Sequence, residues 1–286
     1  MRSTAVALLI GALLSLAFLF TPLEIRAQES GNVYIGKDRP AATFAVNTVA
    51  DTLDANPGDG LCADAAGACS LRAAISEANA LAGADIITVP PGTYTQTLVA
   101  PNDDANAGGD WDVTSAITIN GSGEFSCALQ AAPSPGVATE RVLNVRPGGD
   151  LRLSRVMVRN GNFSGTMTAA TRGAGIENLG VLTLDNVIVR DNQLTSNNGN
   201  PYGAGIHNAG TAMTLISSAV TGNTVSRQTG GSSFGGGIAS TSETTITITN
   251  GYIGDNNAFA NGGFAFGGGL YLENRFTVSI FGRRRQ

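Results

Sequence analysis

Four glycine tripeptides at near-constant spacing constrain this chain more than any other feature. They are Gly173-Ala174-Gly175, Gly203-Ala204-Gly205, Gly235-Gly236-Gly237 and Gly267-Gly268-Gly269, with first glycines 30, 32 and 32 residues apart. Each is followed by an aliphatic residue (Ile176, Ile206, Ile238, Leu270) and then by a short alternating run. Those runs are Leu182-Thr183-Leu184, Met213-Thr214-Leu215, Ile246-Thr247-Ile248 and Val278-Ser279-Ile280. After each of the first three comes an Asn in a polar turn, at Asn192, Asn223 and Asn256. A fixed period between 20 and 50 residues marks a stacked repeat. The chain is expected to be a solenoid.

The strand pattern decides which solenoid. Alternation of period two puts Leu182 and Leu184 on one face and Thr183 on the other. No repeat contains an amphipathic helical stripe, which argues against ankyrin, tetratricopeptide and leucine-rich designs. About 31 residues with two or three short strands and Gly/Asn corners suit one coil of a parallel β-helix. Equivalent residues of successive coils would then stack at the ~4.8 Å spacing of any sheet. Glycines fall where such a coil bends sharply or takes positive φ.

A single continuous solenoid accommodates all 286 residues, because each coil buries its face against its neighbours. Charged residues make up only 14% and Lys37 is the one lysine, with a formal charge of −5. Nothing basic is available to follow a nucleic-acid backbone, so nucleic acid is excluded as a partner. Residues 1–27 read as a secretory signal: Arg2 starts it, Ala5 to Phe20 is apolar, and Ala27 offers a small residue at the cut. Left uncleaved, the same stretch would be an anchor. No second apolar segment reaches the ~20 residues of a span, so the mature chain is expected to be extracellular or at the cell surface. Residues 28–42 read as a linker.

Thr43 to Thr48 alternates as a first strand, and Asp51 to Gly67 is a turn-rich loop with a loose likeness to a calcium loop at Asp54 to Gly60. Cys62 and Cys69 are seven apart; they could close a disulfide or, less simply, hold metal, and Cys127 is left over. Ser70 to Leu81 is the one expected helix, with Leu71, Ala74, Ile75 and Ala78 on one face, Ser70 as cap and Gly83 as stop. It would cover the open end of the first coil, with Arg72 and Glu77 making ion pairs at its rim.

Cys69-Ser70-Leu71-Arg72-Ala73-Ala74-Ile75, with Glu77-Ala78-Asn79-Ala80 behind it, resembles the CSLREA-type signature of secreted bacterial proteins. Val46-Asn47-Thr48, Pro57-Gly58-Asp59-Gly60, Cys62 and Pro91-Gly92-Thr93-Tyr94 fit the same resemblance, while Ala73 departs from it, where the signature carries Glu. The repeats resemble those of polymorphic outer membrane proteins. Their Phe-x-x-Asn-like tetrapeptide appears at Val189 to Asn192, Val220 to Asn223 and Ile253 to Asn256, with an aliphatic in place of Phe. The resemblance implies a right-handed parallel β-helix of the pectin-lyase-like type, outside the cell or on its surface, with association to the outer membrane as one mode. The family is tied to no particular activity.

Residues 43–85 thus form a strand, loop and capping helix, and 86–286 the β-helix. Earlier coils are placed by Ile87-Thr88-Val89, Ile117-Thr118-Ile119 and Leu151-Arg152-Leu153. Two insertions interrupt them: an acidic one with Asp103, Asp104, Asp110 and Asp112, and one with Pro133 and Pro135. Long loops on a solenoid emerge from one side and carry its binding. The last strand, Val278 to Ile280, would start a seventh coil just before the end, a pattern expected of a truncated product, a fragment, or an end that contacts another chain.

The chemistry is sparse. Aligned coils put Glu177 and His207 side by side, pointing outward as an acid–base pair or as surface decoration. Asn178, Asn208 and Ser240 form an inward column that would bond along the axis as a structural ladder; Asn186, Ser217 and Asn250 form a corner column. Arg155, Arg159 and Arg190 make a ridge beside Asp185 and Asp191, able to bind an acidic glycan or to pair with those acids. Asp103, Asp104, Asp110 and Asp112 are the candidate Ca²⁺ ligands, being hard oxygens in one loop, or simply a solvated loop. One His without a matching Ser or Cys motif excludes a nucleophilic triad. Two readings remain: a non-catalytic surface protein contacting polysaccharide or a host or neighbouring cell, and a polysaccharide lyase or hydrolase supported by fold analogy.

Overall fold

The computed structural model describes residues 41–100, 103–165, 171–273 and 277–281. The signal at 1–27 and nearly all of the linker lie outside the described residues. What is described is a parallel β-helix with one helix, Leu71–Ala80. One sheet has eight strands, from Thr43–Ala45 through Ala84–Val89, Ala116–Gly121, Asp150–Ser154, Val181–Asp185, Ala212–Ile216 and Thr245–Thr249 to Thr277–Phe281. Two more have six strands each, and all the pairings are parallel. A four-stranded sheet (Asn162–Gly165, Gln193–Ser196, Thr224–Arg227, Asn257–Ala260) forms an outer layer.

Stacking places like on like. Ile117, Leu151, Leu182, Met213 and Ile246 are register partners down the eight-stranded sheet, and all are buried. The first coil departs from the expected alignment. Ile87 lies opposite Ile119, and Asp85 opposite Ile117. The slip is two residues, so Ile87 still faces inward, as a period of two requires.

The repeated tetrapeptides now have a physical account. In Val189-Arg190-Asp191-Asn192, Val189 is in the core and Asp191 turns the corner at φ 56. Asn192 then points inward. It is not the exposed turn residue its type suggests: Asn192 and Asn223 are fully buried. Asn192 Nδ2 donates to Asn223 Oδ1, and Asn223 Nδ2 to Asn256 Oδ1, both at 2.9 Å. Asn223 Nδ2 also donates to Val189 O, and Asn256 Nδ2 to Val220 O. A second ladder runs from Asn178 Nδ2 to Asn208 Oδ1 (2.6 Å) and from Asn208 Nδ2 to Ser240 Oγ (3.0 Å). The corner column of Asn186, Ser217 and Asn250 is left-handed throughout, at φ 54, 47 and 52, with Arg155 at its head.

The glycine tripeptides do two jobs. Gly203 sits at φ 64, where an added Cβ would run into the Ile206 carbonyl. Gly175 has ordinary φ, but a Cβ there would meet the backbone of the next coil at Gly205 and the Asn192 amide. The middle residues Ala174 and Ala204 join Leu194 and Val225 in a small second core under the outer sheet.

Ser70 Oγ accepts from Ala73 N at 3.0 Å and caps the helix. Leu71, Ile75 and Ala78 pack with Ile87, Trp111 and Ile117 over the first coil. Cys62 and Cys69 are disulfide-bonded, with Cα atoms 5.1 Å apart, and Cys127 is buried and unbridged. Arg72 and Glu77 are not at the rim. Both are fully buried, because the 51–60 loop closes over the helix. Glu77 accepts from the Gly58 and Gly60 amides. Asp54 accepts from Asn56 N and Ala63 N, so its carboxylate is committed to the loop's own backbone.

Asn223→Ala should lower stability by about 2–4 kcal/mol, since it strands several buried donors and acceptors at once. An unfolding free energy, from denaturant titration, lowered by less than a quarter of that would mean the ladder is not a principal support.

Candidate functional site

The early coils carry two long insertions, and a buried ion pair holds the acidic one. Arg72 Nε donates to Asp51 Oδ1 at 2.7 Å. Its Nη2 donates to Gly109 O (2.7 Å) and its Nη1 to Asp110 O (3.2 Å). Asp51 Oδ2 in turn accepts from Thr97 N and Leu98 N. One charge pair thereby fixes both arms of the acidic insertion, and the second insertion, ending at Glu140-Arg141, lies against it.

Between these segments is a polar cavity of about 250 Å³, lined by Asp103, Asp104, Asp110, Glu140, Arg141, Asn144 and Phe163. A neighbouring, more apolar cavity of about 210 Å³ shares Glu140 and runs along Gln96 to Val99 and Ala131 to Pro133. The long loops thus gather on one side and enclose space, as the sequence pattern leads one to expect.

The cavity is built on a polar column of the six-stranded sheet. Asp112, Asn144, Glu177 and His207 are successive register partners on the face opposite the core, and Ala239 and Tyr271 continue the line. The sequence spacing finds the Glu177–His207 neighbours but misplaces them on the surface. Glu177 is 8% exposed and His207 is fully buried. The tight turns at Gly173 and Gly203 fold residues 172 and 202 back over the strand, and the Tyr202 ring lies 6.3 Å from that of His207. Tyr202 then stacks on Phe234 and Phe234 on Phe266, at 4.7 and 5.1 Å between centroids. Each inner ring hides its faces against its neighbours, so this aromatic file serves cohesion.

Arg141 is the hub. Its Nη1 donates to Glu177 Oε2, its Nε lies 3.6 Å from Asp110 Oδ2, and its guanidinium stands 4.8 Å over the Phe163 ring. Burial pushes Glu177 up, but His207, Arg141 and Arg172 outweigh it and hold the carboxyl below its usual range. The Glu177 Oε1 to His207 Nδ1 distance of 3.7 Å is too long for a hydrogen bond, so the Arg141 contact is the firm part of that effect. Burial also pushes the His207 imidazole down, beyond what Glu177 restores; it is neutral near pH 7, with Nε2 2.9 Å from Thr241 Oγ1. Asp110 is pushed up to about 8 by burial, which Arg141 offsets only in part. Asp112 is pushed up to about 7, again chiefly by burial.

Of the four aspartates proposed as calcium ligands, Asp103, Asp104 and Asp110 line the cavity, with different partners. Asp104 binds Arg146 at 2.7 Å, and Asp103 accepts from the Ala107 and Gly108 amides. Asp110 faces the cavity beside Arg141, and Asp112 lies behind it, bonded to Asn106 N. Among the described residues no group of three or more His, Cys, Asp or Glu side chains converges to hold an ion. In the arginine ridge, Arg190 pairs with Asp191 (2.6 Å) and Arg159 donates to Gln130 (2.9 Å), while Arg155 stands in the left-handed corner column and Asp185 is paired with Arg152 (2.8 Å) instead.

Three members of the site escaped the sequence reading. Glu140-Arg141 and Asn144 sit in coils without a glycine tripeptide, so nothing aligned them with Glu177. The signal was present in Trp111-Asp112-Val113 and Leu143-Asn144-Val145, which share the apolar–polar–apolar pattern of a strand. Comparison with family models, curated proteins and solved structures found no match to this chain.

Because Asp110 keeps its proton in the folded chain up to about 8, while the unfolded chain releases it near 4, this group lowers stability as pH rises across that window. Asp110→Asn should leave the thermal midpoint unchanged near pH 4 and raise it by a few degrees near pH 9. A midpoint gain of equal size at both pH values would contradict this burial-driven shift.

Proposed function

We propose that this chain is an extracellular or cell-surface β-helix protein that contacts glycans without cleaving them, in an adhesive or matrix-binding role. The observation that carries the reading is the cavity of about 250 Å³ between the insertions. Its wall combines carboxylates, an amide, a guanidinium and one aromatic ring, a mixture able to accept and donate hydrogen bonds to several hydroxyls while an apolar ring contacts the sugar's C–H face. It is slightly smaller than the ~300–1,000 Å³ of drug-sized sites, which suits one sugar ring of a longer chain. The Cys62–Cys69 disulfide supports an oxidising compartment. So does the likeness of residues 46–94 to the CSLREA-type signature of secreted proteins.

One observation favours the enzymatic alternative, a polysaccharide lyase or hydrolase. Asp110 is held protonated and Glu177 ionised, and both lie against Arg141; carboxyls pushed apart in this way are acid–base candidates. Against it, Glu177 is buried and committed to Arg141, and Arg141, ion-paired to Glu177, stays protonated. Neither is available as a base within the cavity, so binding is the better-supported reading.

The test is a panel of acidic, neutral and amino polysaccharides, scored for retention of the chain and for new reducing ends or unsaturated products. The expected result is retention without turnover, weakened about tenfold by Phe163→Ala. Turnover abolished by Asp110→Asn would establish the enzyme instead, and no retention of any glycan would end the contact reading.

A further inference from the structure

The charges around the cavity specify the kind of sugar. Arg141 is committed to Glu177 through Nη1, with its Nε 3.6 Å from Asp110 and without a hydrogen bond, and Arg146 is committed to Asp104. On the acid side, the half-buried Glu140 side chain has no ion-pair or hydrogen-bond partner among the described residues, and Asp103 is met only by loop amides. Asn144 supplies an independent observation. It is 1% exposed, forms part of the cavity wall, and its Oδ1 accepts from no group. A buried acceptor without a donor costs about 1–3 kcal/mol, and a ligand that brings a donor removes that cost. Arg141 Nε is a buried donor left without an acceptor on the same wall, but four carboxyl groups line the cavity against one guanidinium, so the surplus is of acceptors and negative charge.

Three ligand classes can be weighed against that surplus. A uronate would set its carboxylate against Glu140 and Asp103, an unfavourable pairing in a partly desolvated site. A bare divalent cation has the right sign, but it needs six to eight oxygens at about 2.3–2.6 Å, and the acids here do not converge. A sugar bearing a primary ammonium brings the charge, three donors and a ring of suitable size together. Phe163 offers the ring an apolar wall.

We propose that the cavity takes an unacetylated amino sugar, its ammonium held by the Glu140 carboxylate and Asn144 Oδ1. This rests on the glycan-contact reading and narrows it to cationic polysaccharides of the polyglucosamine kind. Glu140 is the residue that sets specificity, because it is the wall carboxylate whose side chain makes neither an ion pair nor a hydrogen bond among the described residues.

The test is calorimetric binding of the full chain at about pH 6, where a primary amine is mostly protonated. The probes are a glucosamine tetramer, its N-acetylated form, a galacturonate tetramer and spermidine. The glucosamine tetramer should bind at least about tenfold tighter than the other three, and Glu140→Gln should bring it down to the level of the N-acetylated form. Because the Glu140 side chain makes no hydrogen bond or ion pair among the described residues and burial disfavours its charge, Glu140→Gln should keep the parent's circular dichroism and should not lower its melting temperature, so a loss of binding reports on the ligand. Equal binding of the acetylated or acidic tetramer, equal binding of spermidine, or an unchanged Glu140→Gln would each overturn the amino-sugar assignment while leaving glycan contact standing. Failure of all three tetramers would overturn the glycan reading itself.

Discussion

Every coil of this protein must end where its neighbour can receive it. The backbone bonds run between coils, so a strand has no partner within its own turn. That requirement fixes coil length, corner geometry and the identity of whatever polar group is trapped inside a bend. Asparagine meets the last of these, because its amide both donates and accepts. Asn192, Asn223 and Asn256 pass one chain of bonds down the axis and take a carbonyl of the preceding coil as well. Leucine in their place would leave those carbonyls without donors, and aspartate would stack like charges about 5 Å apart.

The same requirement explains what the sequence reveals and what it conceals. Strands show themselves because inward residues recur with a period of two and coils with a period of about 31. The alignment of Glu177 with His207, and of Asn178 with Asn208, follows from counting alone. Burial does not. An outward residue on a strand is ordinarily wet, but here residues 172 and 202 double back across the strand at glycines of positive φ. That covering layer has no periodicity of its own to betray it. Asn192 misleads for the opposite reason: Asn beside Asp reads as an exposed turn, and only its register with Asn223 shows that it is enclosed.

The cavity was the least legible part. Its residues come from two insertions and from coils that lack the glycine marker, and Arg72, which holds one insertion in place, looks like an ordinary surface charge on an amphipathic helix. Its burial is possible because Asp51 neutralises it and three backbone carbonyls satisfy the remaining donors. A buried pair of this kind contributes little net stability but defines one geometry, since removing either partner leaves an unpaired charge. The helix therefore does more than cover an open end. It positions the loops in which binding is proposed.

The separation of that cavity from the regular coils has a mechanical meaning. From Ile176 onward the coils repeat one another closely, and none of their residues beyond Glu177 and His207 adjoins the charge cluster around Arg141. Each such coil advances the solenoid by about 4.8 Å. For the proposed binding site the repeats would be a spacer, its length set in steps of one coil while the cavity stays as it is. Reach and selectivity are independent properties of this architecture.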